Sequence, residues 1–213
     1  MLRAEKQKGT GAFLKKRLLY FHGKGGSAGE AAHYAALLPD YDVVGADYAA
    51  QTPWEAQAEL AAFFDRAAQG AAVTVLANSI GAYFALHALA EKKPERLLLI
   101  SPVVDMEALI GGMMAAANVT EDELCEKGTV ETAFGEPLSW EYLAWVRAHP
   151  IRCRVPTDIL YGENDNLQSF LSVRTFAAAC GARLTVMPGG EHWFHTGEQM
   201  RFLDNWLKGI LKP

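Results

Sequence analysis

Short apolar runs alternate with longer amphipathic ones along most of the chain. Runs of β-branched and aliphatic residues predict strands over Arg17–Phe21, Asp42–Ala46, Ala72–Ala77, Arg96–Ile100, Thr157–Tyr161 and Arg183–Met187. Helical spacing of apolar positions predicts helices over Ala28–Leu38, Pro53–Gln69, Ile80–Lys92, Asn166–Cys180 and Thr196–Leu211. The stretches Val73-Thr74-Val75-Leu76 and Leu97-Leu98-Leu99-Ile100 are almost continuously hydrophobic, as strands covered on both faces are. Alternating strands and helices imply βαβ units. The expected class is therefore α/β, with a mostly parallel sheet between two layers of helices.

One interval breaks the rhythm. Pro102 to Pro156 puts 55 residues between two strands, far more than a crossover needs. Helices are expected near Met106–Ala117, Thr120–Lys127 and Ser139–His149. Two readings are open: extra helices packed on the sheet edge, or a cap over a site. In the second, Met113, Met114, Trp140 and Trp145 would line a substrate pocket. With no internal repeat and no linker, a single domain over 1–213 is expected, carrying this insertion at 102–156.

Composition narrows the function classes. The 213 residues suffice for one sizeable core, and half are hydrophobic. The formal net charge of -5 disfavours a nucleic-acid partner, which needs a basic footprint. Cys125, Cys153 and Cys180 are odd in number and widely spaced, which fits free thiols in a reducing compartment and not a zinc site. The first 16 residues hold charged side chains and no apolar core, unlike a signal peptide, and no apolar run reaches membrane-spanning length. A cytoplasmic protein without a membrane span is the expectation.

The chemistry gathers at strand ends, where open α/β sheets bind ligands. Four ends carry reactive or glycine-rich sequence: His22-Gly23-Lys24-Gly25-Gly26-Ser27, Asn78-Ser79-Ile80-Gly81, Gly162-Glu163-Asn164-Asp165 and Gly189-Gly190-Glu191-His192. A serine at a helix start is ordinarily an N-cap. Ser79 instead stands on a strand-to-helix turn of the form small-x-Ser-x-Gly, which lifts its hydroxyl out of the sheet. A serine nucleophile needs a base, and the base needs an orienting acid. His192 and Asp165 are the candidates, in chain order Ser79, Asp165, His192. His195 rivals His192, and Asp105, which follows the fourth strand, rivals Asp165 or caps the next helix. His22 is read as holding its loop by a hydrogen bond and, with Gly23, as lying against the substrate, the glycine allowing close approach. The glycine-rich run lacks the spacing of a phosphate-binding loop.

This order, the turn at Ser79, the His22-Gly23 pair and the Gly-x-x-Asp of 162–165 resemble the α/β-hydrolase superfamily. The resemblance spans nearly all of Arg17 to Leu211. It departs at Ala77, where glycine is commoner, and in the short N-terminal stretch, which implies a trimmed sheet of about six strands. It implies a three-layer fold with a helical cap and a carboxylesterase-like serine hydrolase. Ser79, His192 and Asp165 would form the triad, with the backbone amides of Lys24 and Ile80 as oxyanion donors. Such chemistry would use a small-molecule acyl substrate, no cofactor and no metal. Amidase, aminopeptidase and thioesterase activity on the same triad, another cofactor-free reaction, and a non-catalytic binding protein stay open; so does the oligomeric state.

Overall fold

The computed structural model describes residues 15–211, so the leader at Met1–Gly11 lies outside the described residues. Six parallel strands form the main sheet in the order β2-β1-β3-β4-β7-β8. They are β1 (Lys15–Phe21), β2 (Asp42–Gly45), β3 (Ala71–Asn78), β4 (Arg96–Ile100), β7 (Thr157–Asn164) and β8 (Arg183–Glu191). The expected six-stranded α/β sheet is therefore present. A small antiparallel hairpin, β5 (Thr129–Val130) with β6 (Leu138–Ser139), stands apart within the long insertion.

Side-chain alternation divides the core between the two faces of the sheet. Leu18 and Tyr20 of β1 face α1 (Ala31–Leu37) and α8 (Gly197–Leu211), together with Leu76, Leu98 and Leu160. Leu19 and Phe21 face the opposite layer of α2 (Pro53–Ala67), α3 (Ile80–Ala88) and α7 (Phe170–Cys180). The insertion helices α4 (Met106–Ala117), α5 (Glu121–Lys127) and α6 (Trp140–Ala148) join that second layer. Among the described residues no helix is long and apolar enough to cross a membrane.

Helix ends follow from local chemistry. At α2, Thr52 accepts from the Glu55 amide, Glu55 accepts from the Thr52 amide, and Pro53 fills the first turn. Helix α3 stops at Ala88, short of the expected Lys92, ahead of Pro94, whose predecessor disfavours the helical region. Helix α7 starts four residues later than expected. Asp165 ties up the amides of Leu167 and Gln168 in a loop, and Ser169 then caps the helix.

Strand β8 runs on through Pro188-Gly189-Gly190, which the sequence suggested was loop. The pairing with β7 is irregular there, with a register shift between Gly162 and Asn164. Gly189 takes φ +66°, and a side chain at Gly162 would sit 2.5 Å from the Glu191 carbonyl oxygen. Because β8 is an edge strand, Pro188 is tolerated.

Gly81 is fixed more tightly still. A Cβ there would lie 2.2 Å from the His22 carbonyl oxygen and 2.9 Å from that of Phe21. Helix α3 is thereby pressed onto the end of β1. Gly81→Ala is expected to cost about 3 kcal/mol or more in urea unfolding, at the upper end of overpacking penalties, because the obstacle is backbone.

Buried in α3, His87 meets Tyr83 edge-on at 4.6 Å and Trp145 of α6 at 4.8 Å. Burial, aided by nearby His149, lowers its pKa to about 4. The unfolded chain therefore binds more protons between about pH 6.5 and pH 4, and stability falls as pH drops through that window. The expected loss is on the order of 2–3 kcal/mol by pH 4. Urea unfolding of His87→Phe against pH should show that part of the acid limb gone.

Candidate active site

Ser79 links β3 to α3 with φ 53° and ψ −123°, a left-handed backbone rarely adopted by a residue with a side chain. Hydrogen bonds over-determine this turn. The Ser79 amide donates to the Ile100 carbonyl at 2.9 Å, and its own carbonyl accepts from Ala82 at 3.1 Å and Val103 at 3.2 Å. Ala77, the departure from glycine, is wholly buried within β3 and leaves the turn intact.

The Ser79 hydroxyl donates to His192 Nε2 at 2.8 Å. On the other side of the ring, Nδ1–H donates to Asp165 Oδ2 at 2.8 Å. A carboxylate only accepts, so it holds the neutral imidazole in the tautomer that leaves Nε2 free to accept. The Asp165 side chain has no exposure. Its Oδ1 takes the amides of Leu167 at 2.8 Å and Gln168 at 3.0 Å, which satisfies the buried charge and fixes its direction.

The rival residues have other work. Asp105 caps α4 by accepting from the Ala108 amide at 3.1 Å, and its second oxygen accepts from the Ser172 hydroxyl at 2.8 Å. Exposed His195 donates from Nδ1 to the Trp193 carbonyl at 2.7 Å, and its ring stacks on Trp193 at 4.4 Å. Neither is hydrogen-bonded into the Ser79–His192–Asp165 series.

The Gly23–Lys24 segment lies against the serine: a Cβ on Gly23 would come 3.2 Å from Ser79 Cβ. Ile80 opens α3, where first-turn amides have no partner within the helix. The Lys24 ammonium pairs with Glu136, at the tip between β5 and β6. Glu30 carries the loop from below, accepting from the Tyr20 hydroxyl and from the Ser27 amide.

A cavity of about 670 Å³ opens beside Ser79 and His192. Gly23 and Lys24 line it. His22 does not, contrary to expectation. Its Nδ1 donates to the Gly23 carbonyl at 2.9 Å, and its ring stacks on Tyr48 at 4.3 Å, which leaves it a loop-holding residue. The expectation that Met113, Met114, Trp140 and Trp145 line the pocket is also corrected. All four pack into the layer shared with α2 and α3, and Trp145 meets Trp54 at 6.1 Å. The apolar side chains of the insertion complete a core face and do not border this cavity.

Two contributors were not singled out by the sequence. Buried Gln168 accepts the amides of Val104 and Asp105 at 2.9 and 2.8 Å, which ties the Asp165 loop to the end of β4. It gave no signal because it fell inside a predicted helix. Trp193, 70% exposed, borders the cavity next to His192. Its adjacency to a candidate base was a signal that could have been used.

No protein-family model matches the chain, and no curated protein matches it by sequence. Solved structures do. Est1E from Butyrivibrio proteoclasticus superposes with a TM-score of 0.72 at 17% identity, covering 92% of this chain and 86% of that one. The chain has the α/β-hydrolase fold. A soluble variant of monoglyceride lipase from Saccharomyces cerevisiae, in complex with a substrate analog, matches at 0.64 and 13% identity, covering 93% and 86%. The type II thioesterase BorB from the borrelidin biosynthetic cluster matches at 0.60 and 19% identity, covering 92% and 93%. Ser79 stands at the turn from β3 into α3, and Asp165 and His192 follow it in that order along the chain.

Proposed function

We propose that this protein is a serine hydrolase that cleaves a small or medium acyl compound, a carboxylic ester in the first instance. The observation that carries the reading is the unbroken series from the Ser79 hydroxyl through both nitrogens of His192 to the buried Asp165 carboxylate. Ser79 attacks the carbonyl carbon while His192 Nε2 takes its proton. Asp165 stabilises the imidazolium. The amides of Lys24 and Ile80 receive the developing oxyanion; losing one such donor typically costs about 3 kcal/mol of transition-state stabilisation. His192 then returns the proton to the leaving alcohol. Water, deprotonated by the same ring, attacks the acyl-enzyme and frees Ser79 and the acid.

The names of the similar structures support this reading: esterases, a lipase and a thioesterase stand among them. Thioesters and amides run through the same steps, so the leaving group is the part that assay must choose. The insertion at 102–156 acts as a cap only through its hairpin tip, where Glu136 meets Lys24. A fluorophosphonate probe tests the proposal directly. Wild type should be labelled at Ser79, found by peptide mapping. A protein that stays unlabelled at high probe concentration, or is labelled elsewhere, rejects it.

A further inference from the structure

The cavity beside Ser79 does not extend toward the insertion. It runs along the other face of the sheet, between α1 and α8. Its apolar wall is Tyr20 of β1, Tyr34 of α1, Ile100 of β4, Phe194 after β8, and Met200 and Leu203 on one face of α8. Five of these are at least nine-tenths buried, yet they border open space. Met200 is half-buried and stands three residues before Leu203, the spacing that brings helical side chains onto one face. His33 of α1, itself bordering the cavity, pairs with Asp204 of α8 at 2.8 Å and so joins the two helices. The Glu30 carboxylate also faces the cavity and is held by Tyr20 and Ser27.

From this arrangement we infer that the α1–α8 cleft receives a neutral, apolar chain of the substrate, and that Met200 sets the chain length accepted. The inference rests on the hydrolase reading for its orientation toward Ser79. An apolar wall favours alkyl or aryl chains in proportion to the surface they bury. The fixed carboxylate of Glu30 disfavours a chain ending in an anion. A volume of about 670 Å³ falls within the range that encloses a medium-sized ligand.

The test uses two ester series, p-nitrophenyl alkanoates and alkyl acetates, so that the chain lies on the acyl or the alcohol side. A third series, 2-alkanones of the same lengths, is measured by calorimetry and needs no turnover. In wild type, kcat/KM should rise with chain length in one ester series, and ketone binding should tighten in parallel. Met200→Phe should lower kcat/KM for the longest good ester about tenfold relative to the shortest ester of the same series. Met200→Ala should move the optimum to longer chains. Melting temperatures near wild type establish that both variants are folded. Folded variants that keep the wild-type chain-length profile overturn the cleft assignment. Met200-dependent ketone binding without hydrolysis of any ester upholds the cleft and overturns the assignment of an ester substrate.

Discussion

Ser79→Ala should lower kcat by a factor on the order of 10⁴–10⁶ against the best ester and abolish fluorophosphonate labelling. The size of the loss follows from how a triad works: without the hydroxyl no acyl-enzyme forms, and what is left is binding and the oxyanion donors. The same turn predicts a split between activity and stability. A residue with a Cβ at φ 53° stores roughly 1–3 kcal/mol of backbone strain, which alanine keeps and glycine relieves. Ser79→Gly should therefore be as inactive as Ser79→Ala and melt at a higher temperature. Equal melting temperatures for the two variants would show that the turn is not strained. Residual activity within tenfold of wild type in either would remove Ser79 from the chemistry.

The parts of this fold that were legible in the chain are those written in local chemistry. Leu97 to Ile100 is apolar at every position because both faces of β4 are covered. The turn at Ser79 declares itself by Gly81, since any larger residue would strike the His22 carbonyl. What was not legible depends on which surfaces meet. Met113 and Trp145 have the character of pocket residues and of core residues equally, and only their packing against α2 and α3 decides between the two. Met200 and Leu203 read as an ordinary apolar helix face until the cavity between α1 and α8 is seen. Gly189 and Gly190 signal a loop, and they occupy an edge strand where its pairing with β7 turns irregular.

Asp165→Asn should cost about 10⁴ in kcat with little change in melting temperature, and the reason lies in the loop rather than in charge alone. The amides of Leu167 and Gln168 both donate to Oδ1, so the carboxamide oxygen of an asparagine must turn toward them. Its NH₂ then faces His192 Nδ1, which has to accept. The proton moves to Nε2, the atom that accepts from the Ser79 hydroxyl in the native protein. The imidazole stays in place in the wrong tautomer. Asp105→Asn is the matched control: asparagine caps a helix as well as aspartate does, so α4 is kept and kcat should stay within about threefold of wild type. A pH profile of kcat/KM separates the two further. Asp105→Asn should keep the wild-type profile, while Asp165→Asn should regain part of its activity at high pH, where hydroxide replaces the missing base. If Asp105→Asn proved the more damaging substitution, the acid would belong to the loop after β4, and Asp165 would be reduced to a loop-shaping residue.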